Sequence, residues 1–127
     1  MTDRSKEIIE KVRKERSTYT AETMKSREIL SQEDPEYLES YHRMYMHVMQ
    51  EKNVLPTKIK EIIISAVNAA TGYERGIRIH LRGALEAGAS KDEIIEGLLA
   101  ASLPAGIHVL SLGLPIFEEV MKEYRKV

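Results

Sequence analysis

Glu61, Ser65, Asn68 and Thr71 are spaced i, i+4, i+7 and i+10 in a stretch that is otherwise apolar after Lys60. On a helix these four polar residues share one face. A few residues on, Tyr73, Gly76, Ile77 and His80 share one face of a second helical stretch. Gly72 separates the two and predicts an antiparallel helix hairpin. Glu61 lies 11 residues before that turn and His80 lies 8 after it. At about 1.5 Å of rise per residue, their heights above the turn differ by roughly 4–5 Å. A carboxylate and an imidazole can meet across such a gap when the two faces are opposed. Gly76 is expected to leave space one turn below His80. A glutamate–histidine pair beside a gap is equipped for general acid–base chemistry. The plainer alternative stays open: the polar stripe faces water and His80 is a packed, hydrogen-bonded histidine.

Other chemistry-bearing residues are fewer. Arg75, Arg78 and Arg82 form an i, i+3, i+7 stripe, suited either to salt bridges or to docking an anionic substrate. His108 stands in a stretch of 21 residues without formal charge, 97–117. It lines the same cavity, an oligomer interface, or the core. His42 and His47 are five apart, a poor spacing for one helix face, and no histidine cluster predicts a metal site. Tyr37, Tyr41 and Tyr45 fall at i, i+4, i+8 and are expected to pack in the core with their hydroxyls at its edge. Met44, Met46 and Met49 read as packing filler.

The elements that must position these residues are all helical. Asp34 caps a helix that Pro35 opens and that runs to about Lys52. Pro56 opens the next, to Thr71, and a third runs from about Tyr73 to Ala87, stopped by Gly88. Ser90-Lys91-Asp92-Glu93 is a capping box for a fourth, expected to end near Ser102, with Pro104 separating it from a last helix toward Tyr124. No stretch alternates as a strand would, so the fold class is all-α. Residues 1–33 are rich in Lys, Arg and Glu with a thin apolar stripe. They read as a helical arm on a domain of residues 34–127.

Composition narrows the function. The chain of 127 residues is one ordinary domain in size. Lys+Arg is 19 and Asp+Glu is 20, which disfavours nucleic acid as a partner, since counterion release needs a basic surplus. There is no cysteine, and so no thiol nucleophile, disulfide or zinc–thiolate site. No secretory leader is read at the start, which points to the cytoplasm. The uncharged stretch is broken by Pro104, Gly106, Gly113 and Pro115, and predicts helices buried against other subunits rather than a membrane span. A nucleotide-type glycine loop, a G-x-S-x-G elbow and an H-E-x-x-H motif are all missing.

Further residues carry a resemblance. They are Asp34-Pro35-Glu36-Tyr37-Leu38, Leu55-Pro56-Thr57-Lys58 with Lys60-Glu61-Ile62-Ile63, and His80 followed by Ala84-Leu85-Glu86-Ala87-Gly88-Ala89-Ser90 and Asp92-Glu93-Ile94-Ile95, then Gly106. Together the stretch from Asp34 to Val120 resembles the carboxymuconolactone decarboxylase family, which includes the alkylhydroperoxidase D proteins. The resemblance implies an alkylhydroperoxidase D-like helical subunit assembling as a trimer or hexamer, with pockets near subunit contacts. Glu61 and His80 occupy the Glu and His of the peroxidase branch's E-x11-C-x2-C-x3-H motif, while Tyr73 and Gly76 stand in place of its cysteines. The dithiol mechanism is therefore lost. The decarboxylase branch acts without metal or organic cofactor on a small carboxylated lactone in aromatic-compound degradation. By that resemblance His80, Glu61 and Tyr73 are the candidate catalytic residues, with Arg75, Arg78 and His108 as candidate substrate-binding residues and no metal. A non-catalytic small-molecule-binding or structural oligomer that keeps the fold is the alternative.

Overall fold

The computed structural model describes residues 1–126, and they form two compact units, 1–53 and the remainder from Val54. Seven α-helices account for most of them, with no strand among the described residues.

The first unit holds α1 (Asp3–Glu15), α2 (Ala21–Glu33) and α3 (Pro35–Met46), followed by a π-helical turn at His47–Glu51. Each helix is started by an oxygen that satisfies an orphan N–H: Thr2 for α1, Thr20 for α2 and Asp34 for α3. Their shared core is small. Ile8, Ile9, Val12 and Leu38 are buried, with Tyr19, Met24 and Leu30 packed against them. The segment read as an arm is thus two helices that pack on each other and on α3.

The tyrosines of α3 do not form a core. Tyr37 is exposed, and the Tyr41 and Tyr45 rings lie 6.4 Å apart. Arginines cover them instead: the Arg16 guanidinium sits 3.5 Å from the Tyr45 ring centroid and 4.1 Å from that of Tyr19. Arg27 lies over Tyr19 and Tyr41. The expected tyrosine core is replaced by cation–π stacking, because α1 and α2 offer too little apolar surface to bury three rings. Met44 is exposed as well, leaving Met49 as the buried methionine of its group.

The second unit holds α4 (Thr57–Thr71), α5 (Glu74–Glu86), α6 (Lys91–Ala105) and α7 (His108–Lys126). The α4–α5 hairpin is its most extensive helix pairing. Gly72 closes α4 at φ +79°, a left-handed value that favours glycine at this turn. Ile77, Leu81, Ala84, Ile94, Leu98 and Val109 are sealed from solvent at the centre.

Ser90 and Glu93 make the predicted reciprocal capping box. The break after α6 falls later than Pro104 suggested. Pro104 sits inside the last turn of α6, and the chain leaves the helix at Gly106, at φ +115°. A proline near a helix end loses a single ladder bond, whereas a left-handed residue redirects the backbone. No helix of the described residues is long and apolar enough to cross a membrane.

Candidate functional site

The hairpin arithmetic closes on a real contact. Glu61 projects from the second turn of α4, and His80 from the middle of α5. His80 Nδ1 lies 2.8 Å from Glu61 Oε2. Their side chains are 9% and 13% exposed, so the pair sits largely out of water. A carboxylate only accepts, so Nδ1 carries the proton that it donates to Glu61. In the neutral ring that leaves Nε2 as the basic nitrogen, fixed in direction by the carboxylate. This is the arrangement of an oriented general base that becomes a general acid after taking up a proton.

Gly83 completes the pair and was not among the residues picked out by chemistry. It follows His80 by three positions on the same face of α5. A Cβ placed there would stand 2.5 Å from Glu61 Oε2 and 2.8 Å from its Cδ. The glycine is thus the floor on which the carboxylate rests. A glycine in mid-helix costs roughly 0.5–1 kcal/mol relative to alanine. That cost, at i+3 from a candidate base, is the one sequence signal that could have found it.

The rest of the polar stripe is occupied locally. Ser65 is buried and its hydroxyl donates to the Glu61 carbonyl at 2.8 Å. The Thr71 hydroxyl donates to the Val67 carbonyl at 3.1 Å. Asn68 packs over Gly76 together with the Tyr73 ring, whose Cδ2 would be 2.6 Å from a Cβ there. The space expected above Gly76 is therefore filled. Helical side chains lean toward the N-terminus of their own helix, which carries those of α4 across that position.

Tyr73 is 51% exposed and lies about seven residues, or roughly 10 Å, along α5 from His80. His108 is near the same turn, its Nε2–H donating to the Ala70 carbonyl at 3.0 Å. Arg78 reaches across to α7 and pairs with Glu119 at 2.5 Å. Arg75 is exposed on α5. Arg82 pairs with Glu86 at 3.2 Å and lies over the Tyr124 ring. The structure thus joins Glu61 to His80, sets Tyr73 and His108 toward the turn, and commits Arg78 to Glu119 on α7. No group of three or more potential metal ligands occurs among the described residues.

Comparison with known proteins identifies relatives of the chain. Residues 35–119 match the model of the carboxymuconolactone decarboxylase family. A 4-carboxymuconolactone decarboxylase from Acinetobacter baylyi (strain ATCC 33305 / BD413 / ADP1) is 36% identical over 69 residues, covering 54% of this chain. The match spans about half of that relative, 52% of its length. A crystal structure from Burkholderia xenovorans LB400, provisionally described as a carboxymuconolactone decarboxylase, superposes with a TM-score of 0.80 at 25% identity. That superposition covers 96% of this chain and 94% of the other.

Proposed function

The chain belongs to the carboxymuconolactone decarboxylase family, and from that premise we propose that it is an acid–base enzyme acting on a small carboxylated substrate, with decarboxylation or lactone chemistry. The observation that carries the reading is the 2.8 Å contact between two nearly buried side chains, His80 and Glu61. His80 moves the proton. Glu61 holds the ring in one tautomer and stabilises the imidazolium that forms.

A carboxylate β to a carbonyl, or vinylogous to one, needs no cofactor to leave as carbon dioxide. The electron pair of the breaking C–C bond passes into the conjugated carbonyl, and a protonated His80 returns a proton to carbon. Within one chain Arg78 is committed to Glu119 of α7. A carboxylate-binding role for Arg78 therefore requires exchange of that ion pair or a pocket completed by a second copy.

The same proposal includes a cytoplasmic homo-oligomer, a trimer or hexamer. Its support is an exposed apolar row. Leu103 is 86% and Ile107 71% exposed, and Leu99 is also at the surface. Beside them Ile63, Val67 and Ala100 line an apolar groove of about 510 Å³ between α4 and α6. Leu110, in the same uncharged stretch, packs against the core and is not part of that row.

The test is turnover of 4-carboxymuconolactone and related small lactone acids, with carbon dioxide release measured against His80→Ala. Removing a general acid–base group lowers the rate by about 10²–10⁴. Full turnover by His80→Ala overturns the proton-transfer role. Thermal stabilisation by a lactone acid recovered unchanged favours the family member that binds without reacting.

A further inference from the structure

Arg16 is a buried cation without a counter-anion. It stands at the C-terminal end of α1, only 8% exposed, and makes no ion pair among the described residues. Arg27, half-buried on α2, makes none either. The carboxylates beside them in sequence are committed elsewhere. Glu15 pairs with His42 at 3.0 Å, and Glu28 with Arg13 at 3.1 Å. Aromatic rings stand where a carboxylate would: Tyr45 and Tyr19 against Arg16, and Tyr19 and Tyr41 against Arg27. Ring faces attract a cation but bring no negative charge. The two arginines are the charged members of this cluster, so its positive charge is not neutralised. A buried charge without its opposite is costly, and an arriving anion relieves that cost.

The hydrogen bonds all run in one direction. The Tyr19 oxygen accepts from Arg16 Nη1 at 2.7 Å and from Arg27 Nη2 at 3.3 Å. Those two nitrogens are therefore within about 6 Å of each other. With both lone pairs engaged, the Tyr19 hydroxyl proton is left to donate, and it meets no acceptor within the chain. Arg16 Nε and Nη2 also lack an acceptor, as does Arg27 Nε. No buried side-chain nitrogen or oxygen of the described residues is both sealed and unpartnered. The free edge of Arg16 therefore opens to solvent, although most of the residue is covered. The cluster offers donors alone, from two guanidinium groups and one phenol.

We propose that this cluster in the first unit is a binding site for a phosphate monoester group. Arg16 Nε and Nη2 grip it as a fork, and the Tyr19 hydroxyl and Arg27 Nε donate to its remaining oxygens. A phosphate monoester carries a charge of about −1.5 to −2 near neutral pH and three acceptor oxygens. It thus matches two cations and three donor groups, whereas a carboxylate brings one charge and two oxygens. The site contains neither Glu61 nor His80, and its occupancy does not depend on the reaction assigned to them.

The experiment is an NMR titration of the full chain with methyl phosphate, and separately with acetate, at ionic strength matched with sodium chloride. Backbone amides and the arginine Nε–H signals are followed. Saturable shifts are expected at the Nε–H of Arg16 and Arg27 and at the amides around Tyr19. Methyl phosphate should bind about tenfold or more tighter than acetate. Arg27→Gln should weaken methyl phosphate by about tenfold or more. Tyr19→Phe keeps the ring under both arginines and removes only the hydroxyl. It should weaken binding by about tenfold, and it supplies the test if Arg27→Gln disturbs the packing of α1 on α2. Equal affinity for the two anions overturns the choice of a phosphate group. Shifts confined to the surroundings of Glu61 and His80, or affinity unchanged in the folded variants, overturn the site.

Discussion

Removing the Glu61 carboxylate tests whether the pair acts as a unit. The His80 Nδ1–H donates to a charged acceptor at 2.8 Å, with both side chains nearly out of water. A hydrogen bond to a charged group contributes about 1.5–3 kcal/mol. Glu61→Ala leaves that donor facing a hole above Gly83, and should destabilise the protein by about that amount. For a chain of this length, 1 kcal/mol moves Tm by roughly 3–5 °C, so the fall should be roughly 5–15 °C. Glu61→Gln keeps an oxygen acceptor and loses only the charge, so about 1 kcal/mol is expected. Gly83→Val keeps both partners in the sequence but drives a branched side chain into the carboxylate, and should lower turnover as Glu61→Ala is expected to. The decisive measurement is a double-mutant cycle by urea denaturation on Glu61→Ala and His80→Ala. Coupling of about 1.5–3 kcal/mol is expected. Coupling below about 0.5 kcal/mol, the limit for independent sites, would refute a functional dyad.

Leu103→Asp and Ile107→Asp should dissociate the assembly without unfolding the subunit. Burying the two exposed side chains is worth roughly 2–5 kcal/mol per subunit, and light scattering on the unaltered protein should exceed the 14.5 kDa monomer. Glu93 accepts from the Ser90 backbone N–H and pairs with Lys58, which together hold its carboxyl below the usual range. A depressed carboxylate stabilises the fold above its unfolded pKa of about 4.3 and loses that contribution as pH falls through the folded value. Glu93→Gln should therefore flatten the acid limb of a stability–pH curve below that point. With no cysteine in the chain, hydroperoxide turnover with a dithiol donor should be absent, and sustained metal-free turnover would contradict that expectation.

The dyad was legible because a glycine-closed hairpin turns sequence separation into height, and two helices of similar length leave little else to choose. Gly83 escaped because its contribution is room for another residue, which no side-chain chemistry announces. His42 was weighed against His47, its neighbour in sequence, while its actual partner Glu15 stands 27 residues away on α1. Tyr73 was grouped with the dyad by helical face, and His108 by its place in the uncharged stretch. A face is shared along a whole helix, and rise along the axis separates Tyr73 from His80. Pro104 suggested a break since proline forbids a ladder bond, yet it removes one such bond and the helix continues to Ala105. The fold class followed from caps and periodicity. Which helix faces stay uncovered in one subunit is set by packing between distant elements, which single-sequence spacing does not encode.

The thin core of the first unit has a kinetic consequence. Ile8, Ile9, Val12 and Leu38 are the apolar seal on three helices, whereas the second unit closes over a far longer set of aliphatic side chains. Backbone amides exchange with solvent deuterium at the rate their local structure opens, and opening is easiest where least apolar area must be exposed. Amides of α1 and α2 therefore belong to the fast-exchanging population and those of α4 and α5 to the slow one. The first unit is also held by stacked arginines whose guanidinium groups keep their charge at any working pH. Its exchange rate is thus governed by opening, with no loss of those contacts through titration of the cation. A ligand that bridges α1 and α2 would register there first, as slowed labelling of helices that otherwise exchange readily.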